Sequence, residues 1–166
     1  MTPTLIPTAT VLSPFALVTD FYSKKIMGWS YSDKMPAEIV IHALKMAKRN
    51  AIHHEKEINH HSDRGIQYCC SAFSEYTEKN GFILSTTQQY DPYENAVAER
   101  VNGILKDEFG LKESIKNKET AFKMIAQAVR IYNEKRLHWS LQFKTPEEAH
   151  CSYNETKYLS YKRKTA

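Results

Sequence analysis

The fold is decided by two short stretches, HHSDRGIQY at residues 60–68 and ENAVAER at residues 94–100. The first places Asp63 directly after a short strand, and the second places Glu99 inside a helix, with 35 residues between the two acids. An acid at a strand end and an acid on a nearby helix can converge on the same divalent cations, which prefer oxygen ligands. The structural alternative is that Glu99 pairs with a basic residue on the helix surface, such as Arg100.

Around these stretches the chain alternates between strand and helix patterns. Short apolar runs predict strands at 15–20, 25–31, 57–62 and 82–86. Apolar residues at helical spacing predict helices at 36–50, 71–80, 94–112 and 118–134. Thr145-Pro146 predicts the capped start of one more short helix, and the unbroken apolar run from Phe15 to Val18 predicts a strand covered on both faces. We therefore expect one mixed α/β domain at 1–150 followed by a tail at 151–166, with residues 1–14 as a loose end.

The composition limits the class of protein. With 166 residues, of which 42% are hydrophobic and 25% charged, the chain fits one globular domain that buries its own core. The three cysteines lack CxxC spacing, so we expect neither a disulfide framework nor a zinc module, and a reducing cytoplasm fits best. No apolar run reaches the roughly 18 residues of a membrane span. The net charge of +4 permits a polyanionic partner, although it also fits proteins without one.

Five separated motifs resemble one family. HSDRGIQY is similar to the histidine/threonine-x-aspartate-x-glycine-x-glutamine-aromatic stretch of transposases and retroviral integrases, and ENAVAER is similar to their aspartate-asparagine-alanine-x-x-glutamate stretch. ALVTDFYSKKIMGW at residues 16–29 resembles their strand pair, and YNEKRLH at residues 132–138 resembles their tyrosine-asparagine-x-x-arginine-x-histidine signature. Leu141 and Thr145-Pro146 continue that signature as a fifth match. The motifs follow one another along the chain in the family's order, and over residues 4–150 they resemble the insertion-sequence transposases with an integrase-like catalytic core.

The resemblance implies a ribonuclease-H-like fold, which is a mixed five-stranded sheet flanked by helices. It implies that Asp63 and Glu99 are the second and third acids of an aspartate-aspartate-glutamate triad that holds two magnesium or manganese ions. Lys106, seven positions after Glu99, matches the basic residue that contacts DNA near the scissile phosphate, although an ordinary exposed lysine is the alternative. The implied reaction is metal-dependent cleavage at the ends of an element and strand transfer into target DNA.

The first acid of the triad has no counterpart in this sequence. TLIPT at residues 4–8 is similar to the end of the stretch that carries this acid, and counting back puts Thr2 at its position. Asp20 matches a different aspartate of the family, and we expect it to cap the turn between two strands. With two acids instead of three, we expect an N-terminally truncated core with weak metal binding and impaired catalysis.

Two other functions fit the same residues. The chain could be a non-catalytic DNA-binding or dimerising remnant of a transposase, which salt-dependent DNA binding without cleavage would favour. It could also be a structure-specific nuclease of the same fold. For the transposase, the resemblance implies DNA at the element ends and at the target as partners, and a separate or upstream helix-turn-helix segment. A homo-oligomer is compatible with this reading, but the sequence does not define the oligomeric state. Arg136 and His138 could either order the C-terminal packing or contact DNA.

Overall fold

Five strands and five helices make up the part of the chain that the structure describes. The computed structural model describes residues 4–7, 12–32, 36–51, 58–62, 71–86, 92–111, 115 and 117–152. The strands are β1 (Thr4–Pro7), β2 (Leu12–Thr19), β3 (Ile26–Tyr31), β4 (Ile58–Ser62) and β5 (Phe82–Thr86). The helices are α1 (Pro36–Asn50), α2 (Ser71–Lys79), α3 (Pro92–Glu108), α4 (Lys118–Glu134) and α5 (Pro146–Cys151), with a 3-10 turn at Trp139–Leu141. From β2 onward the predicted order of strands and helices is confirmed. No described helix is long and apolar enough to cross a membrane.

The described strands form one antiparallel sheet and one parallel sheet, so the single mixed five-stranded sheet that the resemblance implied is not seen among the described residues. The antiparallel sheet has the order β1-β2-β3, with Thr4 of β1 opposite Phe15 of β2. In the second sheet β4 runs parallel to β5, and Ser62 lies opposite Thr86. Because parallel strands end at the same edge, the segments that follow Ser62 and Thr86 both leave from one edge of this sheet.

β2 is buried on both of its faces. Successive side chains of a strand point to opposite sides, so Phe15 and Leu17 enter a core built with α3 and α4, whereas Ala16 enters a second core built with α1 and α2. All three side chains are buried. This arrangement confirms the prediction that the apolar run starting at Phe15 is covered on both sides.

β1 lies inside the segment that we expected to be a loose end. Residues 4–7 pair with residues 12–15, so that expectation is wrong for these residues. The sequence pattern failed here because Pro7 and Pro14 interrupt both runs, and proline is usually excluded from the interior of a sheet. β1 is an outer strand of its sheet among the described strands, where a missing amide hydrogen bond costs less.

α3 ends earlier than its apolar pattern predicts. The pattern extends to residue 112, but the helix stops at Glu108 because Gly110 adopts a left-handed conformation with a φ of 69°. Glycine is the usual residue for this reversal at a helix end, since it has no Cβ to clash. The chain then turns back, and Leu111 is buried in the core beside α3 and α4.

α1 lies unusually close to β3 at Gly28. A Cβ atom at Gly28 would lie 2.0 Å from the carbonyl oxygen of Ala43 and 2.6 Å from the amide nitrogen of Ala47. Both atoms belong to the backbone of α1, so no rotation of a side chain could relieve such a contact. Glycine on the strand and alanines on the helix therefore set the distance between α1 and the sheet.

We predict that Gly28→Ala destabilises the protein by about 2 to 3 kcal/mol, because the whole of α1 must move outward. Gly103→Ala is the matched control, since a Cβ at Gly103 would meet no atom within 4 Å. This control should stabilise α3 by about 0.5 to 1 kcal/mol, as alanine is the better helix former. Urea unfolding of both variants measures the difference, and equal effects would contradict the close approach at Gly28.

Candidate active site

Glu99 and Lys106 lie on the outward face of α3. The opposite face packs into the core through Val101, Ile104 and Leu105, all of them buried. At about 100° per residue, positions seven apart lie nearly above one another, so Glu99 and Lys106 share a row about 10 Å long. Glu99 is exposed and Lys106 is half-buried. The packing of α3 therefore directs one predicted acid and the predicted DNA-binding lysine to the same side.

Asn102 occupies the same row, between Glu99 and Lys106. It is buried, and its Oδ1 atom accepts no hydrogen bond within the described ranges. A buried amide oxygen without a donor is unfavourable, so its retention calls for an explanation, of which a functional role is one. Asn102 was not predicted as a site residue, although its spacing of three from Glu99 and four from Lys106 was a usable signal.

Asp63 follows directly after β4 and lies outside the described residues. β4 ends at Ser62, and β5, which leads toward α3, ends opposite it at Thr86. The carboxyl edge of this parallel sheet is therefore the point from which the segment carrying Asp63 departs. Within the described residues, no group of three or more histidine, cysteine, aspartate or glutamate side chains could hold a metal ion.

Asp20 caps the turn between β2 and β3, as predicted. Its Oδ2 atom accepts hydrogen bonds from the amide nitrogen of Ser23 at 2.8 Å and from the Ser23 hydroxyl at 2.6 Å. His150 of α5 approaches the same oxygen at 3.9 Å. Burial alone would raise the pKa of Asp20, but the bonds from His150 and Ser23 outweigh it and lower the pKa. The carboxylate is thus engaged in a local structural role.

Tyr132 and Asn133, which begin the C-terminal signature, fasten α4 to the β2–β3 hairpin. The Tyr132 hydroxyl donates to the carbonyl oxygen of Lys24 at 3.0 Å, and burial raises the pKa of this tyrosine. The Asn133 side chain accepts from the amide nitrogen of Ile26 at 2.9 Å and donates to the carbonyl oxygen of the same residue at 3.0 Å. One amide group therefore pairs with strand β3 as a neighbouring strand would.

Arg136 and His138, the later residues of the signature, order the packing around α3 and α4. The Arg136 guanidinium donates to both carboxylate oxygens of Glu108, at 2.7 and 2.6 Å, and so ties the end of α4 to the end of α3. The His138 ring is buried and packs edge-on against Tyr132, with 5.1 Å between ring centroids. Burial, followed by the positive charge of Arg136, lowers the pKa of His138. Of the two roles left open for these residues, the structure provides the packing role.

The chain then closes a tight aromatic loop, which we define as residues 138–144. His138 and Lys144 form an isolated antiparallel bridge, and Gln142 and Phe143 both have left-handed backbones. Trp139 is 82% exposed and contacts Phe143 edge-on, with 5.1 Å between centroids. A capping box between Thr145 and Glu148 then begins α5, as the sequence predicted for this threonine.

Comparison with known proteins assigns the family. Residues 4–92 match the integrase core domain, and residues 80–146 match a second integrase core domain family. The chain belongs to the integrase core domain family. The family prediction made from the five motifs is therefore confirmed.

Among curated proteins, this integrase core is similar to insertion-sequence transposases. It is 32% identical over 138 residues to the transposase for insertion sequence element IS629 of Shigella sonnei, covering 83% of the chain and 46% of that protein. It is 30% identical over 146 residues to the transposase for insertion sequence element IS904 of Lactococcus lactis, covering 87% of the chain and 57% of that protein. The chain thus spans about half the length of the curated relatives it matches.

Among solved structures, the integrase core resembles two retroviral ones. The HTLV-2 integrase catalytic core domain in complex with magnesium has a TM-score of 0.71 at 18% identity, covering 90% of this chain and 92% of that one. The catalytic core domain of BIV integrase has a TM-score of 0.69 at 18% identity, covering 94% and 95%. These similarities confirm the ribonuclease-H-like fold.

We predict that Asn133→Ala lowers the free energy of unfolding by about 2 to 3 kcal/mol, because it leaves the buried amide and carbonyl groups of Ile26 without hydrogen-bond partners. Asn50→Ala is the control, since the Asn50 side chain donates to the carbonyl oxygen of Met27 at 2.8 Å from an exposed position. Asn50→Ala should lower the free energy of unfolding by less than about 1 kcal/mol. Urea unfolding distinguishes the two, and an equal loss would contradict the fastening role of Asn133.

We predict that the Arg136–Glu108 pair contributes about 0.5 to 1 kcal/mol at neutral pH, because the Glu108 carboxylate is partly exposed. The hydrogen bond from Arg136 lowers the pKa of Glu108 below its ordinary value of 4.5. A lowered folded-state pKa means that the stabilisation is present above that ordinary value and is lost as the pH falls through the folded-state pKa. A double-mutant cycle with Arg136→Gln and Glu108→Gln, followed from about pH 7 to about pH 4, measures it. A coupling energy that increases as the pH falls would contradict the expected pH dependence.

Proposed function

We propose that this integrase core carries the polynucleotidyl transfer chemistry of an insertion-sequence transposase. The observation that carries the proposal is the outward row of α3, where the exposed Glu99 and the half-buried Lys106 lie on the face opposite the core. The transposases of IS629 and IS904, to which the chain is similar, support DNA as its substrate. The reaction would be hydrolysis at the element ends followed by attack of the freed 3′ hydroxyl on target DNA.

Asp63 and Glu99 are the residues that would hold divalent cations. Carboxylates are the ligands that magnesium and manganese prefer, and the HTLV-2 core with the same fold was solved in complex with magnesium. Glu99 fits this role because its side chain is exposed on α3 and is not used in the core. When bound, such ions activate the attacking oxygen and stabilise the leaving oxygen of the phosphodiester.

Lys106 would contact a DNA phosphate beside these acids. A lysine ammonium is a compact point charge on a flexible stem, which suits a backbone phosphate better than a base edge. Its position seven residues after Glu99 would put the contact about 10 Å along the helix from the acid. In this proposal Lys106 orients the DNA backbone, and the two acids hold the reacting phosphate through their bound cations.

Residues 1–166 taken by themselves carry two acids of the proposed triad, because Thr2 occupies the position aligned with the first. Fewer carboxylates hold two divalent ions less strongly, so we propose weak metal binding and impaired strand cleavage for this polypeptide. The Thr2 observation also favours a second candidate function, that of a DNA-binding or dimerising transposase segment without catalysis. In that case salt-dependent DNA binding would remain while metal-dependent cleavage is absent.

Further partners follow from the same proposal. The HTLV-2 core was solved in dimeric and trimeric forms, and a related integrase in an intasome, which supports association between copies of this core on DNA. Recognition of particular element ends would come from a helix-turn-helix segment, either separate or upstream. The proposed site of action is the cytoplasm.

We predict that Thr2→Asp tightens manganese binding to the 166-residue polypeptide by about tenfold or more, because it adds a third carboxylate to the proposed site. Asp63→Asn and Glu99→Gln should each abolish the gain, whereas Glu134→Gln on the exposed surface of α4 should not change it. Calorimetric titration with manganese and cleavage of a labelled DNA duplex measure binding and activity.

Two results would contradict these proposals separately. Manganese binding that neither Asp63→Asn nor Glu99→Gln weakens would exclude these acids as the metal ligands. Robust cleavage by the unaltered polypeptide, abolished by Asp63→Asn, would exclude impairment while supporting the transposase chemistry.

A further inference from the structure

A cleft of about 560 Å³ opens between α1 and α2, on a different part of the surface from the row that carries Glu99. Its described lining consists of three cations, one aromatic ring and one amide, which we call the basic cleft: Lys45, Lys48, Arg49, Tyr76 and Asn80. The cations come from the last turns of α1, and the other two residues come from α2 and the turn that follows it. No acidic side chain contributes to this described lining.

Two of the three cations of the basic cleft contact uncharged groups. Lys45 lies over the Tyr76 ring, with its Nζ atom 5.6 Å from the centroid. Lys48 donates to the carbonyl oxygen of Asn80 at 2.6 Å and lies 6.0 Å from the centre of the Phe82 ring. Among the described residues, no salt bridge joins any of the three cations to a carboxylate.

Stabilisation of α1 accounts for only part of this arrangement. Lys48 and Arg49 lie in the last turn, where cations interact favourably with the helix dipole. Lys45 lies a turn earlier, and its charge faces the same concave surface over an aromatic ring. On the same face of α1, Glu38 lies two turns before Lys45, about 10 Å along the helix axis. At that distance its negative charge does not neutralise the positive charge of the cleft at short range.

We propose that the basic cleft binds backbone phosphates of DNA, and this inference rests on the proposed function of the chain. Arg49 offers a planar set of donors that matches phosphate oxygens, and Lys45 adds a mobile point charge. The Tyr76 hydroxyl is a further donor at the cleft, because burial raises the pKa of this tyrosine and keeps it protonated. Asn80 supplies an amide, so the cleft offers donors of several kinds to one anion.

The position of the basic cleft makes it a second DNA contact. Asn80 and Gly81 directly precede β5, and the carbonyl oxygen of Gly81 accepts from the amide of Ile58 at the start of β4. The cleft therefore lies at the amino ends of the two parallel strands, whereas the segment with Asp63 leaves from their carboxyl ends. Five residues of strand separate these edges by about 16 Å, which corresponds to about five base-pair steps of DNA.

The test compares two pairs of neutral substitutions in the 166-residue chain. Lys45→Gln with Arg49→Gln removes two cations from the cleft and leaves Lys48 bonded to Asn80. Arg130→Gln with Lys144→Gln removes the same charge from exposed positions on α4 and in the aromatic loop. Binding of a fluorescein-labelled DNA duplex is followed by fluorescence anisotropy from low to high salt. The cleft pair should reduce the slope of log K against log salt by about two, and the control pair by less than about one.

Further measurements distinguish DNA from inorganic phosphate as the ligand, and the cleft proposal from the proposed function of the chain. Equal slopes for the cleft pair and the control pair would overturn the cleft proposal. Binding of inorganic phosphate is measured by NMR titration, and a cleft pair that weakens phosphate binding but not DNA binding would also overturn it. Unchanged thermal unfolding of both pairs excludes a folding defect as the cause. Absence of any DNA binding by the unaltered chain would overturn the proposed function itself, whereas normal binding with an unaffected slope would overturn the cleft alone.

Discussion

Burial of β2 on both faces is the constraint on which the rest of the structure depends. Phe15 and Leu17 hold α3 and α4 on one side, while Ala16 admits α1 on the other. Ala16 has a small side chain and Gly28 has none, so α1 can approach the sheet closely. On the other side, the large side chains of Phe15 and Leu17 pack against the buried face of α3. The outward direction of Glu99 is thus a consequence of what β2 buries behind it.

The C-terminal signature contributes to the candidate site by packing. Its tyrosine and asparagine hold α4 on the hairpin, and Arg136 joins α4 to the last residue of α3 through Glu108. Because α3 carries Glu99 and Lys106, a clamp at its end limits rotation and fraying of the same helix. Tyr132, Asn133 and Arg136, which contact neither metal nor DNA in our proposal, therefore affect the position of Glu99.

Local patterns predicted most of the fold, and long-range contacts account for what they missed. Helical spacing gave α1 and α4 to the residue, and Asp20 was assigned to its turn because aspartate bonds nearby amides. β1 was missed because prolines break its pattern, while the pairing that forms it depends on β2. The Asn133–Ile26 bonds join residues 107 positions apart, so no local pattern could reveal them. The motifs predicted Glu99 as a metal-binding acid, which stays a prediction, and the buried oxygen of Asn102 could be seen only in the structure.

The pairing of Asn133 with Ile26 also affects how the sheet meets other molecules. β3 is an outer strand among the described strands, and the exposed amide and carbonyl groups of such a strand can recruit a strand from another chain. Asn133 occupies both groups of Ile26, and Asn50 occupies the carbonyl of Met27. The start of β3 therefore offers fewer free backbone groups to a strand of another molecule, which disfavours sheet extension from one molecule to the next at this point.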